Sequence, residues 1–327
     1  MPPMRYRSVG RSGLRVSVVG VGCNAFGARV DEAQTQAVVL AALDAGITLF
    51  DTADTYAAGE SERLLGKALS GRRDDVVIAT KFGMPAHGLT GPGWQARGSR
   101  SYLRRSVEGS LRRLDTDWID LYQLHQPDPS TPIEETLGAL DDLVAEGKIR
   151  YYGCSNFHGW ELTEASWTAR TGGYAGFVSA QNEYSLYNRS AEQELAPACV
   201  HLGVGLLPYF PLAYGLLTGK YAPDQAAPAG TRLAHASQAA RLAAADFDRV
   251  DALQRFADAC GVSLLDVAIG GLAAQPAVCS VIAGATKPEQ IAANVAAGLW
   301  EPTPEQLAEL ATINTGPAPG MTAASFR

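Results

Sequence analysis

Eight short apolar runs, separated by segments with the period of an amphipathic helix, set the tightest limit on what this chain can fold into. The runs are VSVVGVG (16–22), ITLFD (47–51), VVIATK (76–81), IDLYQLH (119–125), IRYYGCSN (149–156), FVSAQNE (177–183), GLLPYFP (205–211) and VCSVIAGA (278–285). Between and after them lie segments such as DEAQTQAVVLAALDAG (31–46), IEETLGALDDLVAEGK (133–148) and KPEQIAANVAA (287–297), with apolar residues three and four apart as in core-facing helices. Most strand starts are about 30 residues apart, the length of a βαβ unit, so the strands should pair in parallel. Eight such units with no linker or composition break predict one (β/α)8 TIM barrel domain over residues 1–327, with the site on the face where the strands end. Two long connections should lie on that face, 83–100 and roughly 214–246.

Composition removes several function classes. The formal net charge of −7 argues against a nucleic-acid partner, and no run is long enough to span a bilayer. Cys23, Cys154, Cys199, Cys260 and Cys279 are scattered, with no C-x-x-C and no Cys/His spacing for a metal, so they read as buried reduced thiols in a cytoplasmic protein; Cys154 has no activating partner. GVGCNA (20–25) fits a dinucleotide fingerprint, but no helix opens at its glycines: the helix start signal is Asp31 with Gln34 three residues on.

The strand ends carry the chemistry. The second run ends on Asp51, the third on Lys81, the fourth on His125, the fifth on Ser155 and Asn156, the sixth on Gln181, and Tyr56 follows Asp51 in a polar loop. On a closed barrel these side chains converge on one mouth, where Asp51 is the counter-charge for Lys81. A free phenol has a pKa near 10, and an ammonium beside Tyr56 should lower it. Tyr56 and His125 would then be two donors to a carbonyl oxygen on which charge develops. With no metal or redox thiol in view, a bound hydride donor is the economical electron source. Ser155, Asn156 and Gln181 match the donors and acceptors of a carboxamide, Tyr209 could stack on its ring, and the helix opening after Gly284, with Lys287, Gln290 and Asn294 on its first turns, could take a phosphate.

These residues, with FDTADTY (50–56), VVIATKFG (76–83), IDLYQLHQPDP (119–129), GKIRYYGCSNF (147–157) and YFPLAYGLLTGKY (209–221), resemble the aldo-keto reductases from about Arg5 to Leu310. The resemblance implies a β-hairpin around 6–16 closing the barrel bottom, and NADP(H) bound without a Rossmann fold, with NADH as the weaker alternative. It implies Tyr56 as general acid/base, assisted by Lys81, Asp51 and His125, a carboxamide held by Ser155, Asn156 and Gln181, and Tyr209 on the nicotinamide. Pro211, Leu212, Gly215, Leu217, Gly219 and Lys220 would line the pyrophosphate loop, Arg232 would belong to a loop folding over the cofactor, and the segment Gly284, Ala285, Thr286, Lys287, Gln290, Asn294 would hold the adenosine end, with Lys287 near the 2′-phosphate. Two departures stand out: Phe210 replaces a small polar residue, and Gln290 stands where some relatives place Arg.

Substrate choice falls to Cys23, Asn24, Ala25, Phe26, Tyr56, Met84, Trp94 and the 214–246 loop; Trp94 reads equally as a movable aromatic wall or as an anchor of its own loop, and Met84, with Trp160 and Trp167, also reads as a packing residue. The implied function is NADPH-dependent reduction of an aldehyde, ketone or sugar, or the reverse oxidation. The alternatives are a cofactor-sensing regulatory subunit of the potassium-channel β type, against which the lack of a long N-terminal extension weighs, and a nucleotide-dependent epimerase or isomerase.

Overall fold

The computed structural model describes residues 3–84, 95–223 and 225–318. It begins with an antiparallel hairpin, β1 (Tyr6–Ser8) and β2 (Arg15–Ser17), so the first apolar run divides: Val16 and Ser17 belong to the hairpin, Val18 is the bend between, and the remaining residues form β3 (Val19–Gly22). Then follow β4 (Leu49–Asp51), β5 (Val77–Phe82), β6 (Ile119–Leu124), β7 (Ile149–Ser155), β8 (Ser179–Gln181), β9 (Gly205–Leu206) and β10 (Val281–Gly284). These eight strands are parallel, in the order β10-β3-β4-β5-β6-β7-β8-β9. Bridges Leu206 to Val278 and Tyr209 to Ile282 join the two ends, with the Ile282 N–H donating to the Pro208 carbonyl at 3.0 Å. The sheet is a (β/α)8 barrel.

Around it lie α1 (Glu32–Asp44), α2 (Glu60–Ala68), α3 (Arg100–Leu114), α4 (Ile133–Ala145), α5 (Gly159–Gly172), α6 (Leu195–Leu202), α7 (Ala239–Ala243), α8 (Phe247–Cys260), α9 (Leu264–Asp266), α10 (Pro288–Gly298) and α11 (Pro304–Leu310). α1 starts at the expected capping box: Asp31 accepts from the Gln34 N–H at 2.9 Å and Gln34 returns the bond at 3.1 Å. α7, α8 and α11 fall outside the eight repeating units, and the strand-to-strand reading of the sequence did not anticipate them. Trp160 and Trp167 on α5 are 60% and 55% exposed, so they are surface residues and not packing residues as expected.

Side-chain alternation along the strands builds the interior. On one parity, Leu49, Ala79, Leu121 and Leu207 form an apolar floor with Val9, Leu14 and Val16, which the hairpin brings in from below. Two residues further along β4, β5 and β6, the same parity delivers Asp51, Lys81 and Gln123, one layer nearer the mouth. On the opposite parity Phe50, Ile78, Phe82 and Tyr122 pack outward against the helices. One alternating pattern thus produces the hydrophobic core and the polar ring above it.

Candidate active site

At the centre of the polar ring the Lys81 ammonium donates to Asp51 Oδ2 at 2.6 Å, to the Thr52 carbonyl at 2.8 Å and to the Tyr56 hydroxyl at 3.4 Å. Lys81 and Asp51 are both buried. Burial works against the ammonium, but Asp51 and Tyr56 outweigh it, and the pKa of Lys81 is raised above its ordinary value. The other Asp51 oxygen accepts from Gln181 Nε2 at 2.8 Å and Gln123 Nε2 at 3.3 Å, so the carboxylate holds three donors. The Tyr56 and His125 rings meet edge to face, 6.0 Å between centroids and 78° between planes.

Tyr56 departs from expectation in its acidity. Its pKa is raised, by burial first and by the Asp51 charge, against which Lys81 lowers it only in part. The phenol therefore keeps its proton through the neutral range and is a donor at rest.

Beside this core, the ends of β7 and β8 carry a second connected set. Ser155 Oγ donates to the Gln181 carbonyl at 2.7 Å, Asn156 Nδ2 donates to the His125 carbonyl at 2.9 Å, and the Tyr209 hydroxyl donates to Asn156 Oδ1 at 2.7 Å. Asn156 sits at φ +62°, a left-handed conformation that Asn tolerates, turning its amide back across the strand end.

These groups open onto a cleft of about 770 Å³. In a chain of net charge −7 its lining is basic: Arg29, Lys220, Arg232 and Lys287 face it, and Asp51, its acidic group, is already paired with Lys81. Among the described residues no carboxylate lies within ion-pair distance of Arg29 or Arg232. The Arg232 guanidinium lies 4.7 Å from the Phe210 ring centre and 5.1 Å from that of Tyr214, and burial, followed by repulsion from Arg29 and Arg241, brings its pKa down to about 10. The wall beneath it is strained: Phe210, Ala213 and Tyr214 have φ of +54°, +45° and +61°, while Gly215, at φ +102°, takes the conformation that only glycine accepts without cost. Among the described residues no cluster of side chains could hold a metal, the cysteines are free, and no helix is long and apolar enough to cross a membrane.

The sequence profile of the aldo/keto reductase family matches residues 18–315. The chain belongs to this family. It is 39% identical over 303 residues, 90% of this chain and 91% of the relative, to a protein of Oryza sativa subsp. japonica named as a probable voltage-gated potassium channel subunit beta. It is 40% identical to the oxidoreductase YrpG of Bacillus subtilis, over 88% of this chain and 89% of the relative. A probable aldo-keto reductase 1 of Glycine max is 42% identical over 65% of this chain and 60% of the relative. The family generally uses NAD(P)H, and membership supports an oxidoreductase acting on a small molecule.

In this aldo/keto reductase the cleft wall brings together most residues singled out from the sequence: Asn24, Asp51, Tyr56, Met84, His125, Ser155, Asn156, Gln181, Tyr209, Pro211, Leu212, Gly215, Lys220, Arg232, Gly284, Ala285, Thr286, Lys287, Gln290 and Asn294. Lys81 lies just beneath it. Gln290 Oε1 accepts from the Thr286 N–H at 2.7 Å, which folds the loop onto the first turn of α10. Phe26 and Leu217 are not on the wall; both are fully buried in the core that packs the sheet against its helices. Gly219 is not on it either, and serves as a left-handed turn at φ +72°. Trp94 lies outside the described residues.

Two residues were missed. Gln123 sits two positions before His125, on the inward parity that had already picked out its neighbours, so strand alternation could have found it. Arg29 lies in the loop between β3 and α1, where no periodicity marks a residue, and only the three-dimensional structure places it on the cleft.

Proposed function

We propose that this aldo/keto reductase is an NADP(H)-dependent enzyme that moves a hydride between a nicotinamide ring and an aldehyde, ketone or sugar and its alcohol, with Tyr56 as general acid/base. The observation that carries this reading is the Lys81 ammonium fixed between Asp51 and the Tyr56 hydroxyl, at the floor of a basic cleft. The guanidiniums of Arg29 and Arg232, with no carboxylate in ion-pair distance among the described residues, fit a polyanionic cofactor, since both like charges line one cleft. The linked amides and hydroxyls of Ser155, Asn156 and Gln181 fit its carboxamide, Tyr209 and the Phe210–Tyr214 shelf its planar rings, and Pro211, Leu212, Gly215 and Lys220 its pyrophosphate. The segment from Gly284 to Asn294 would take the adenosine end.

A bound nicotinamide would supply the hydride. Tyr56 Oη would give its proton to the carbonyl oxygen in reduction and take it back in oxidation. Lys81 steadies the phenolate that remains, and Asp51, fixed by the Gln123 and Gln181 amides, holds Lys81 in place and charged. His125, edge-on to Tyr56, would donate a second hydrogen bond to the same oxygen, so that developing charge meets two preset donors. Asn24 and Met84 would touch the rest of the substrate.

The test is calorimetric titration with NADPH and NADH, followed by NADPH oxidation against a panel of aldehydes, ketones and reducing sugars. Binding with turnover is expected. The names of relatives such as the rice protein favour a second reading, a nucleotide-sensing regulatory subunit with weak reductase activity, to which tight NADPH binding without turnover would move the assignment. Lys287 caps α10 at the cleft edge, next to where a 2′-phosphate would lie. Lys287→Ala should weaken NADPH binding by about 1 kcal/mol, roughly fivefold, and leave NADH unchanged; an unaltered NADPH/NADH ratio would assign the 2′-phosphate to other residues.

A further inference from the structure

Behind the turn that carries Tyr56 lies a polar cage with no part in the chemistry just described. Asp54, two residues before Tyr56, turns its side chain away from the cleft and is fully buried. Its Oδ2 accepts a long bond, 3.3 Å, from Ser106 of α3, and Oδ1 has no hydrogen-bond partner among the described residues. The groups facing it come from three packed elements. α2 brings Glu62, itself fully buried, α3 brings Ser106 and Arg113, and β6 brings Tyr122. The cation of the cage is already engaged: Arg113 Nε donates to Glu62 Oε2 at 2.7 Å, and Glu62 also accepts from Thr80. One guanidinium thus faces two carboxyls, and an ionised Asp54 would be a second buried negative charge beside Glu62.

The backbone ties this cage to the reacting group. The Asp54 N–H donates to the carbonyl of Lys81 at 3.2 Å, and the Tyr56 N–H donates to the carbonyl of Ala53 at 3.2 Å. Directly after Tyr56 the chain passes through three left-handed residues, Ala57 at φ +49°, Ala58 at +54° and Gly59 at +88°. Alanine pays a steric cost in that region, and such strain persists only where the surroundings impose it. The side chain of Arg113 packs directly on Gly59, leaving no room for a Cβ there.

We propose that Asp54 is a positioning residue for Tyr56: while it keeps its proton its carboxyl braces the strained turn from behind, and loss of that proton releases the turn and lowers turnover. A neutral carboxylic acid needs no counter-charge in the cage, whereas a carboxylate must either repel Glu62 or draw the turn outward to reach water. In keeping with this, burial, then the Glu62 charge, push the Asp54 pKa up to about 7, with Arg113, the Ser106 hydroxyl and the Thr55 N–H opposing. The effect on turnover rests on the reductase reading above; the state of the carboxyl does not.

The experiment compares the full-length wild type with Asp54→Asn, which keeps the neutral shape and cannot ionise, and with Ser106→Ala. Infrared spectra from pH 5.5 to 9 should contain a band of a buried protonated carboxyl that fades through about pH 7 in the wild type and is missing from Asp54→Asn. Amide exchange of Tyr56 to Gly59, corrected for intrinsic rates, should rise over the same range in the wild type alone. With saturating NADPH, wild-type kcat should fall toward about tenfold per pH unit above that midpoint, while Asp54→Asn stays flat and the nucleotide KM is equal in both. Ser106→Ala removes a bond that favours the carboxylate, so its midpoint should move to higher pH, which provides the test even if Asp54→Asn folds poorly. A band that persists in Asp54→Asn, the same pH-dependent exchange in both proteins, or an unmoved midpoint in Ser106→Ala would overturn the proposal. Absence of turnover in every variant, with the infrared and exchange results as expected, would overturn the reductase reading and leave the brace standing.

Discussion

Tyr56→Phe should cut turnover by about 10²–10⁴-fold, the range removed with a positioned proton donor, while nucleotide affinity and folding stability stay close to wild type. The variant loses one hydroxyl and keeps the ring that packs edge-on to His125, so the cleft retains its shape. It also keeps the Lys81–Asp51 pair, because Lys81 still donates to Asp51 and to the Thr52 carbonyl. The raised pKa of Tyr56 adds a directional expectation. With the phenol protonated through the neutral range, reduction has its proton in place, whereas oxidation needs the phenolate and should speed up as pH rises. Single-turnover kinetics in both directions, beside calorimetry with NADPH, would check this; equal losses of binding and turnover would remove Tyr56 from the proton-transfer role.

That expectation marks where sequence reading reached and where it stopped. The barrel was legible because strand alternation and helical period are repeated eight times, and the polar strand ends were legible because Asp51, Lys81 and His125 each close an apolar run. Gln123 obeys the same alternation and was recoverable in principle. The acidity of Tyr56 was not, because it balances an ammonium 3.4 Å away against burial and the Asp51 charge, and burial has no sequence signature at a loop residue. The core placement of Phe26 and Leu217 was hidden for a related reason: a position beside a functional loop does not say whether a side chain turns toward the cleft or into the core. Arg29 and Asp54 depend on loop and helix contacts between residues far apart in the chain. Trp160 and Trp167 show the limit of a composition prior, since aromatic residues usually pack inside yet these two face solvent.

Lys81→Met separates the structural from the chemical contribution of the buried pair. Removing the ammonium leaves the Asp51 carboxylate buried with two amide donors and no cation, which should destabilise the fold by about 3–5 kcal/mol, read as a lower urea midpoint with an unchanged slope. Adding Asp51→Asn to Lys81→Met removes the stranded charge and should return most of that loss, yet turnover should remain low in both variants because the phenolate has lost its stabilising cation. The sign of the pH dependence follows from the raised Lys81 pKa. The stabilisation from its charge is complete below the unfolded value of about 10.4 and is lost as pH rises through the higher folded value, because there the folded state binds the proton that the unfolded state has released. The stability gap between wild type and Lys81→Met should therefore be constant through the neutral range and begin to close above about pH 10.4. A single variant as stable as the wild type would mean that Asp51 finds its compensation in Gln123 and Gln181 alone. A double variant that regains turnover along with stability would remove Lys81 from the chemistry and leave it only the task of neutralising Asp51.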